Sequence, residues 1–189
     1  MAQKLIFITH PEVVVDPDRT ITDWALSGTG RRRAEAFAEN PIMDTVAQIH
    51  SSAERKARET SDILSVAKGL PVSVETQLGE NDRSATGFLP PTEFEAAADA
   101  FFAKPTTSFR GWERAVDAQI RIWRAVHRIV EGHGSGDLAV VSHGAVGTLL
   151  WCTLLDQPID RAHDQPGQGH YWCAKLDTLR PDHGWRPIA

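Results

Sequence analysis

Two short segments, Leu5-Ile6-Phe7-Ile8 and Leu138-Ala139-Val140-Val141, are unbroken apolar runs of strand length. A strand with one wet face alternates apolar and polar side chains, so an unbroken run implies burial on both faces. Such strands belong inside a sheet that helices cover on each side. Thr45-Val46-Ala47-Gln48-Ile49 and Pro71-Val72-Ser73-Val74 are weaker strand candidates, and helical patterns separate all four. The order strand, helix, strand, helix, strand, helices, strand, helix predicts a mostly parallel sheet. Residues from about His170 to Trp185 read as a final strand and hairpin. We expect an α/β fold, a three-layer α/β/α sandwich with a small helical cap, as a single domain over residues 1–189.

Local signals place the helices. Ser27 suits the N-cap of a helix running to about Phe37, and Asn40-Pro41 ends it. Ser51 or Ser52 is expected to cap a helix from Ala53 to Ala67, stopped by Gly69-Leu70-Pro71. Pro91 fits the first turn of a helix over Thr92 to Ala103, where its missing N–H costs nothing. Trp112, Val116, Ile120, Trp123, Val126 and Val130 recur at steps of three and four, the expected apolar stripe of a long helix ending at Gly132. The stretch from about 80 to 110 breaks the rhythm and reads as the cap.

Composition removes several function classes. Twenty basic against 25 acidic residues give a net charge of −5, which argues against a nucleic-acid partner. An anionic ligand must then be caught by a local basic pocket rather than by the field of the whole protein. Two cysteines, Cys152 and Cys173, are too few for a disulfide framework or a zinc cluster. No apolar run is long enough to span a membrane, and none after Met1 has the length of a signal-peptide core. We expect a cytoplasmic protein with no membrane partner; the sequence sets no oligomeric state.

In open parallel sheets, ligands bind beyond the carboxyl ends of the strands. The first strand exits into Thr9-His10-Pro11, the second into His50-Ser51-Ser52, and that at 138–141 into Ser142-His143-Gly144. The latter two exits stand before helices, whose free N–H groups favour anions. Two imidazoles with nearby cations suit phosphoryl chemistry: a neutral ring attacks phosphorus, and a second, cationic ring stabilises the equatorial oxygens. A carboxylic acid must protonate the leaving alcohol. Glu80 and Asp82 both follow the third strand and stand open for that role.

These residues resemble the histidine phosphatase superfamily, whose founding members are the cofactor-dependent phosphoglycerate mutases. Thr9-His10-Pro11 stands where the family has Arg-His-Gly, and Leu26-Ser27-Gly28-Thr29-Gly30-Arg31-Arg32-Arg33-Ala34 resembles its Leu-Thr-x-x-Gly-x-x-Gln-Ala helix start. Ser51-Ser52-Ala53-Glu54-Arg55-Lys56-Ala57-Arg58-Glu59-Thr60-Ser61 is similar to its Ser-Ser-Pro-x-x-Arg-Ala-x-x-Thr-Ala pattern. Leu78-Gly79-Glu80 takes the place of the acid motif, and Val141-Ser142-His143-Gly144 that of the second histidine. The resemblance implies His10 as phosphoryl acceptor, Glu80 as proton donor and His143 as transition-state stabiliser. It further implies Lys56, Thr9 and Gly144 at the phosphate, with no cofactor and no metal.

Three positions depart from the pattern. Thr9 and Lys56 replace arginines, and Pro11 replaces a glycine whose N–H would be available. Arg83 is the expected compensating cation, with Arg110 and Arg19 as runners-up. Arg55 and Arg58 flank Lys56 but belong to other helix faces. His50 is expected to be structural, as are Trp112 and Trp123 in a core or interface. The resemblance implies hydrolysis of a small phosphate ester through a phosphohistidine. Phe88, Leu89, Phe101, Phe102 and Phe109 in the cap point to a partly apolar ester. The alternatives are a weak or inactive phospho-ligand binder, favoured by the lost arginines, and mutase-type phosphoryl transfer.

Overall fold

The structure is a computed structural model, and it describes residues 3–189. The first apolar run forms the middle of β1 (Lys4–Thr9) and the second that of β4 (Asp137–Ser142), paired in parallel with Leu5 opposite Leu138 and Thr9 opposite Ser142. Alternate residues of each run enter different cores, because successive strand side chains point to opposite faces. Leu5, Phe7, Leu138 and Val140 share one core with Trp172. Ile6, Ile8, Ala139 and Val141 share the other with Ile49 and Phe37.

Two further strands, β2 (Val46–Ser51) and β3 (Val72–Val74), extend the parallel part outward from β4. On the other side β5 (His170–Lys175) pairs antiparallel with β1, and β6 (Arg186–Pro187) antiparallel with β5. The sheet order is β3-β2-β4-β1-β5-β6. The returning strand β6 thus lies just past the segment expected to hold the hairpin.

Helices α1 (Gly28–Ala38) and α2 (Arg55–Lys68) pack together over one face. Helices α4 (Ala115–Glu131) and α5 (Gly144–Leu154) pack over the other. The remaining helix, α3 (Pro91–Ala103), lies in the cap region and sends Ala97, Phe101 and Phe102 into the core that holds Leu5, Phe7 and Trp172. Ser27 caps α1 by accepting from the Gly30 N–H at 3.0 Å, and Gly69 ends α2 in the left-handed conformation.

Two local expectations fail. Glu54, not Ser51 or Ser52, is the N-cap of α2, and its side chain makes no cap bond to a helix N–H. The buried face of α4 is Ala115, Ala118, Ile122, Ala125 and Val126, while Ile120 and Trp123 are 48% and 37% exposed. Trp112 is buried, yet it precedes the helix. Small alanines let α4 approach α5 closely, and a stripe chosen by side-chain size misses that face.

Candidate active site

The carboxyl ends of β1, β2 and β4 are tied together by main-chain bonds. The His10 N–H donates to the Ser142 carbonyl at 3.3 Å, and the Ser52 N–H to the Val141 carbonyl at 2.9 Å. Sheet geometry thereby brings His10 and His143 together edge to face, with ring centroids 5.3 Å apart and planes inclined by 65°.

Each ring has an assigned tautomer. His10 Nδ1 lies 2.9 Å from the Pro11 carbonyl oxygen. A carbonyl only accepts, so Nδ1 carries the proton and Nε2 keeps its lone pair. Burial chiefly, with help from the Lys56 charge, lowers the His10 pKa to about 4. His143 Nε2 is 2.8 Å from Ser52 Oγ and 3.4 Å from Glu54 Oε1, which makes Nε2 its protonated nitrogen. Burial holds His143 well below the ordinary histidine range. The second imidazole is therefore a neutral N–H donor in the resting site, not the cation expected from sequence.

Glu80 is tied to the start of α5. Its carboxylate accepts from the Ala145 N–H at 3.2 Å and the Val146 N–H at 3.1 Å, and from the Asn81 N–H at 3.1 Å. It thus caps a helix whose N-cap residue, His143, makes no side-chain cap bond. The α5 amides expected to await an external anion are already engaged here. Burial nonetheless raises the Glu80 pKa, the direction that favours a proton donor. Asp82, the rival carboxylate, goes the other way: its bonds to Ser84 lower its pKa.

The cations divide sharply. Arg83 and Lys56 line, with His10 and Glu80, a cavity of about 540 Å³ that runs into the cap along Phe88, Leu89, Phe94, Phe101, Phe102 and Trp112. The Arg83 guanidinium lies over the rings of Phe94 at 5.1 Å and Trp112 at 5.7 Å. Arg110 and Arg19 instead make exposed surface pairs with Glu93 and with Asp16 and Asp23. Arg55 pairs with Glu59, and Arg58 is exposed. Lys56 is only 3% exposed; it donates to the Ile21 carbonyl at 2.8 Å and pairs with Glu54.

Thr9 does not face the cavity. Its hydroxyl donates to Gln165 Oε1 at 2.7 Å and accepts from the His170 N–H at 2.9 Å. Gln165 lines the cavity instead, beside Gly144, where an added Cβ would lie 2.3 Å from Gln165 Nε2. His50 is half-buried on β2 and lines neither this cavity nor its neighbour.

Sequence reasoning missed Glu54. Its Oε1 accepts from the Glu80 N–H at 2.8 Å and faces His143, while its other oxygen meets Lys56. Burial alone would raise this carboxyl; the His143 ring, the Lys56 ammonium and the Glu80 N–H outweigh it and hold the pKa at about 2. Its place two residues before Lys56 does not reveal these contacts, because those with Glu80 and His143 are tertiary.

The model of the histidine phosphatase superfamily (branch 1) matches residues 5–175. The chain belongs to that superfamily. Among superfamily relatives, a glucosyl-3-phosphoglycerate phosphatase of Mycolicibacterium vanbaalenii is 30% identical over 95% of this chain and 87% of its own length. The superfamily fold recurs in a mycobacterial glucosyl-3-phosphoglycerate phosphatase in complex with inorganic phosphate (TM-score 0.81, 24% identity, 99% of each chain). It recurs in Bacillus stearothermophilus YhfR (TM-score 0.81, 24% identity, 97% of this chain and 95% of that one). An Entamoeba histolytica phosphoserine phosphatase in complex with 3-phosphoglyceric acid shares it too (TM-score 0.74, 18% identity, 97% and 96%). Among the described residues, no group of three or more His, Cys, Asp or Glu is arranged to hold a metal ion. No helix there is long and apolar enough to cross a membrane.

Proposed function

We propose that this chain hydrolyses a phosphomonoester through a covalent phosphohistidine at His10. The observation that carries the reading is the His10 tautomer: Nδ1–H held by Pro11, Nε2 free and the ring neutral. The Nε2 lone pair attacks phosphorus as the bond to the ester oxygen breaks, and protonated Glu80 gives its proton to the leaving alcohol. Water then attacks phosphorus, the P–N bond breaks and Glu80 takes the water's proton. Phosphate leaves and His10 is neutral again. His143 Nε2–H, Lys56 and Arg83 hold the phosphoryl oxygens in both steps. Gly144 admits the group close to α5, and Thr9 acts through Gln165.

The cavity walls of Phe88, Leu89, Phe94 and Trp112 support an ester with an apolar leaving group. A second reading, phospho-ligand binding without turnover, is favoured by one fact: Lys56 is already paired with Glu54. An aryl-phosphate assay comparing wild type with His10→Ala separates the two. Loss of turnover in the variant is expected. Equal rates would refute the phosphohistidine, and phosphate binding without turnover in wild type would establish the second reading.

A further inference from the structure

Glu54 sets a negative charge where the proposed reaction needs to hold one. Its side chain is 12% exposed, and two of its three donors, Lys56 and His143, are those assigned above to the phosphoryl oxygens. The Lys56–Glu54 pair lies between two cavities. Lys56 lines the one containing His10; Glu54 lines the other, with Ser52 and Arg121, and Glu80, Asn81 and Arg83 line both.

The charges facing Glu54 are few. Lys56 comes from α2, His143 from the start of α5, Glu80 and Arg83 from the loop after β3, Arg121 from α4 and His10 from the end of β1. Arg121 is committed to Glu113 at 2.8 Å. Both imidazoles are neutral, so Lys56 and Arg83 face one fixed carboxylate. A tetrahedral dianion on Lys56 therefore meets a like charge in the same contact shell. A tetrahedral monoanion carrying one P–OH meets it with a donor, and an O–H donated to a carboxylate is among the stronger hydrogen bonds.

We propose that Glu54 makes the site select the protonated, monoanionic form of its phosphoryl ligand, whose P–OH donates to the Glu54 carboxylate. The inference rests on the placement of the phosphoryl group given under Proposed function, but not on turnover. Glu54 stays ionised down to a pH of about 2 and His10 neutral down to about 4. A phosphomonoester loses its second proton near pH 6, so within the working range the proton that is read belongs to the ligand. Glu80 also titrates, but its effect falls equally on any anion of the same shape.

Inorganic phosphate and inorganic sulfate make the test, since they share size and geometry and only phosphate keeps a proton in mild acid. Calorimetric titration of the whole wild-type chain should give phosphate tighter than sulfate by about tenfold, one pKa unit's worth of differential interaction. That preference should shrink as pH rises through the second ionisation of phosphate. Glu54→Gln should bind sulfate about tenfold more tightly and lose most of the preference. Equal binding of the two anions by wild type overturns the proposal. So does a Glu54→Gln variant that binds both more tightly by one factor, which is simple competition for Lys56 and His143. If that variant does not fold, the wild-type preference and its pH dependence decide alone. Failure of either anion to bind overturns the placement of the phosphoryl group itself, and this inference with it.

Discussion

His10 Nδ1 lies 2.9 Å from the carbonyl oxygen of Pro11, its own chain neighbour, so the residue that replaces the family glycine fixes the tautomer of the proposed nucleophile. The interaction uses the carbonyl, which proline keeps, and not the N–H, which it lacks.

Because the His10 pKa falls from 6.5 to about 4 on burial, the unfolded chain binds the extra proton between those values. Stability should therefore be complete above pH 6.5 and fall progressively toward pH 4, by on the order of 3 kcal/mol from this group. Glu54 adds a separate loss at lower pH, from 4.5 toward about 2. Melting curves of wild type and His10→Asn across that range check this; an identical pH slope in both would rule out a buried neutral His10.

Arg83 lies in the cavity with His10 against Phe94 and Trp112, and is the cation proposed to compensate for the missing arginines. Arg83→Ala should lower kcat/KM by about 10²-fold, the cost of one oxyanion donor. Arg58, exposed on α2, should tolerate alanine with no change in rate. Equal losses in the two variants would remove Arg83 from the site.

Glu80 serves two ends, the α5 amides and the proposed leaving group, and two substitutions separate them. Glu80→Gln keeps an acceptor for the amides, so its melting temperature should stay near wild type while kcat falls by about 10²-fold or more. The fall should be smaller for aryl esters, whose leaving groups need less protonation. Glu80→Ala should lose about 1 kcal/mol of stability in addition. An active Glu80→Gln with a poor leaving group would exclude it as the acid.

Thr9 donates its hydroxyl to Gln165, which lines the cavity. Thr9→Val preserves shape but strands Gln165 Oε1 and the His170 N–H, and should cost about 1–3 kcal/mol of stability. Chemical denaturation measures this directly. A stability within error of wild type would show that the hydroxyl is not needed to hold Gln165.

The sheet was legible because the runs at 5–8 and 138–141 admit one environment, burial on both faces, and their exits carry the two histidines. Arg83 was expected from its place three residues past Glu80, and it lines the cavity with His10. The α4 face was misread because alanines pack closely there without adding to an apolar stripe. Glu54 was invisible for a different reason. Its role comes from a meeting of α2, the loop after β3 and the start of α5, and no local spacing encodes it. The engagement of the α5 amides by Glu80 is likewise a tertiary contact, 65 residues apart in sequence.

The proposed covalent phosphohistidine at His10 is open to direct trapping. Wild type mixed with a labelled aryl phosphate and quenched in alkali, where phosphohistidine survives, should carry one phosphoryl group on the peptide containing His10. His10→Ala should carry none. Turnover by wild type with no label on that peptide, or label retained by the variant, would contradict the account.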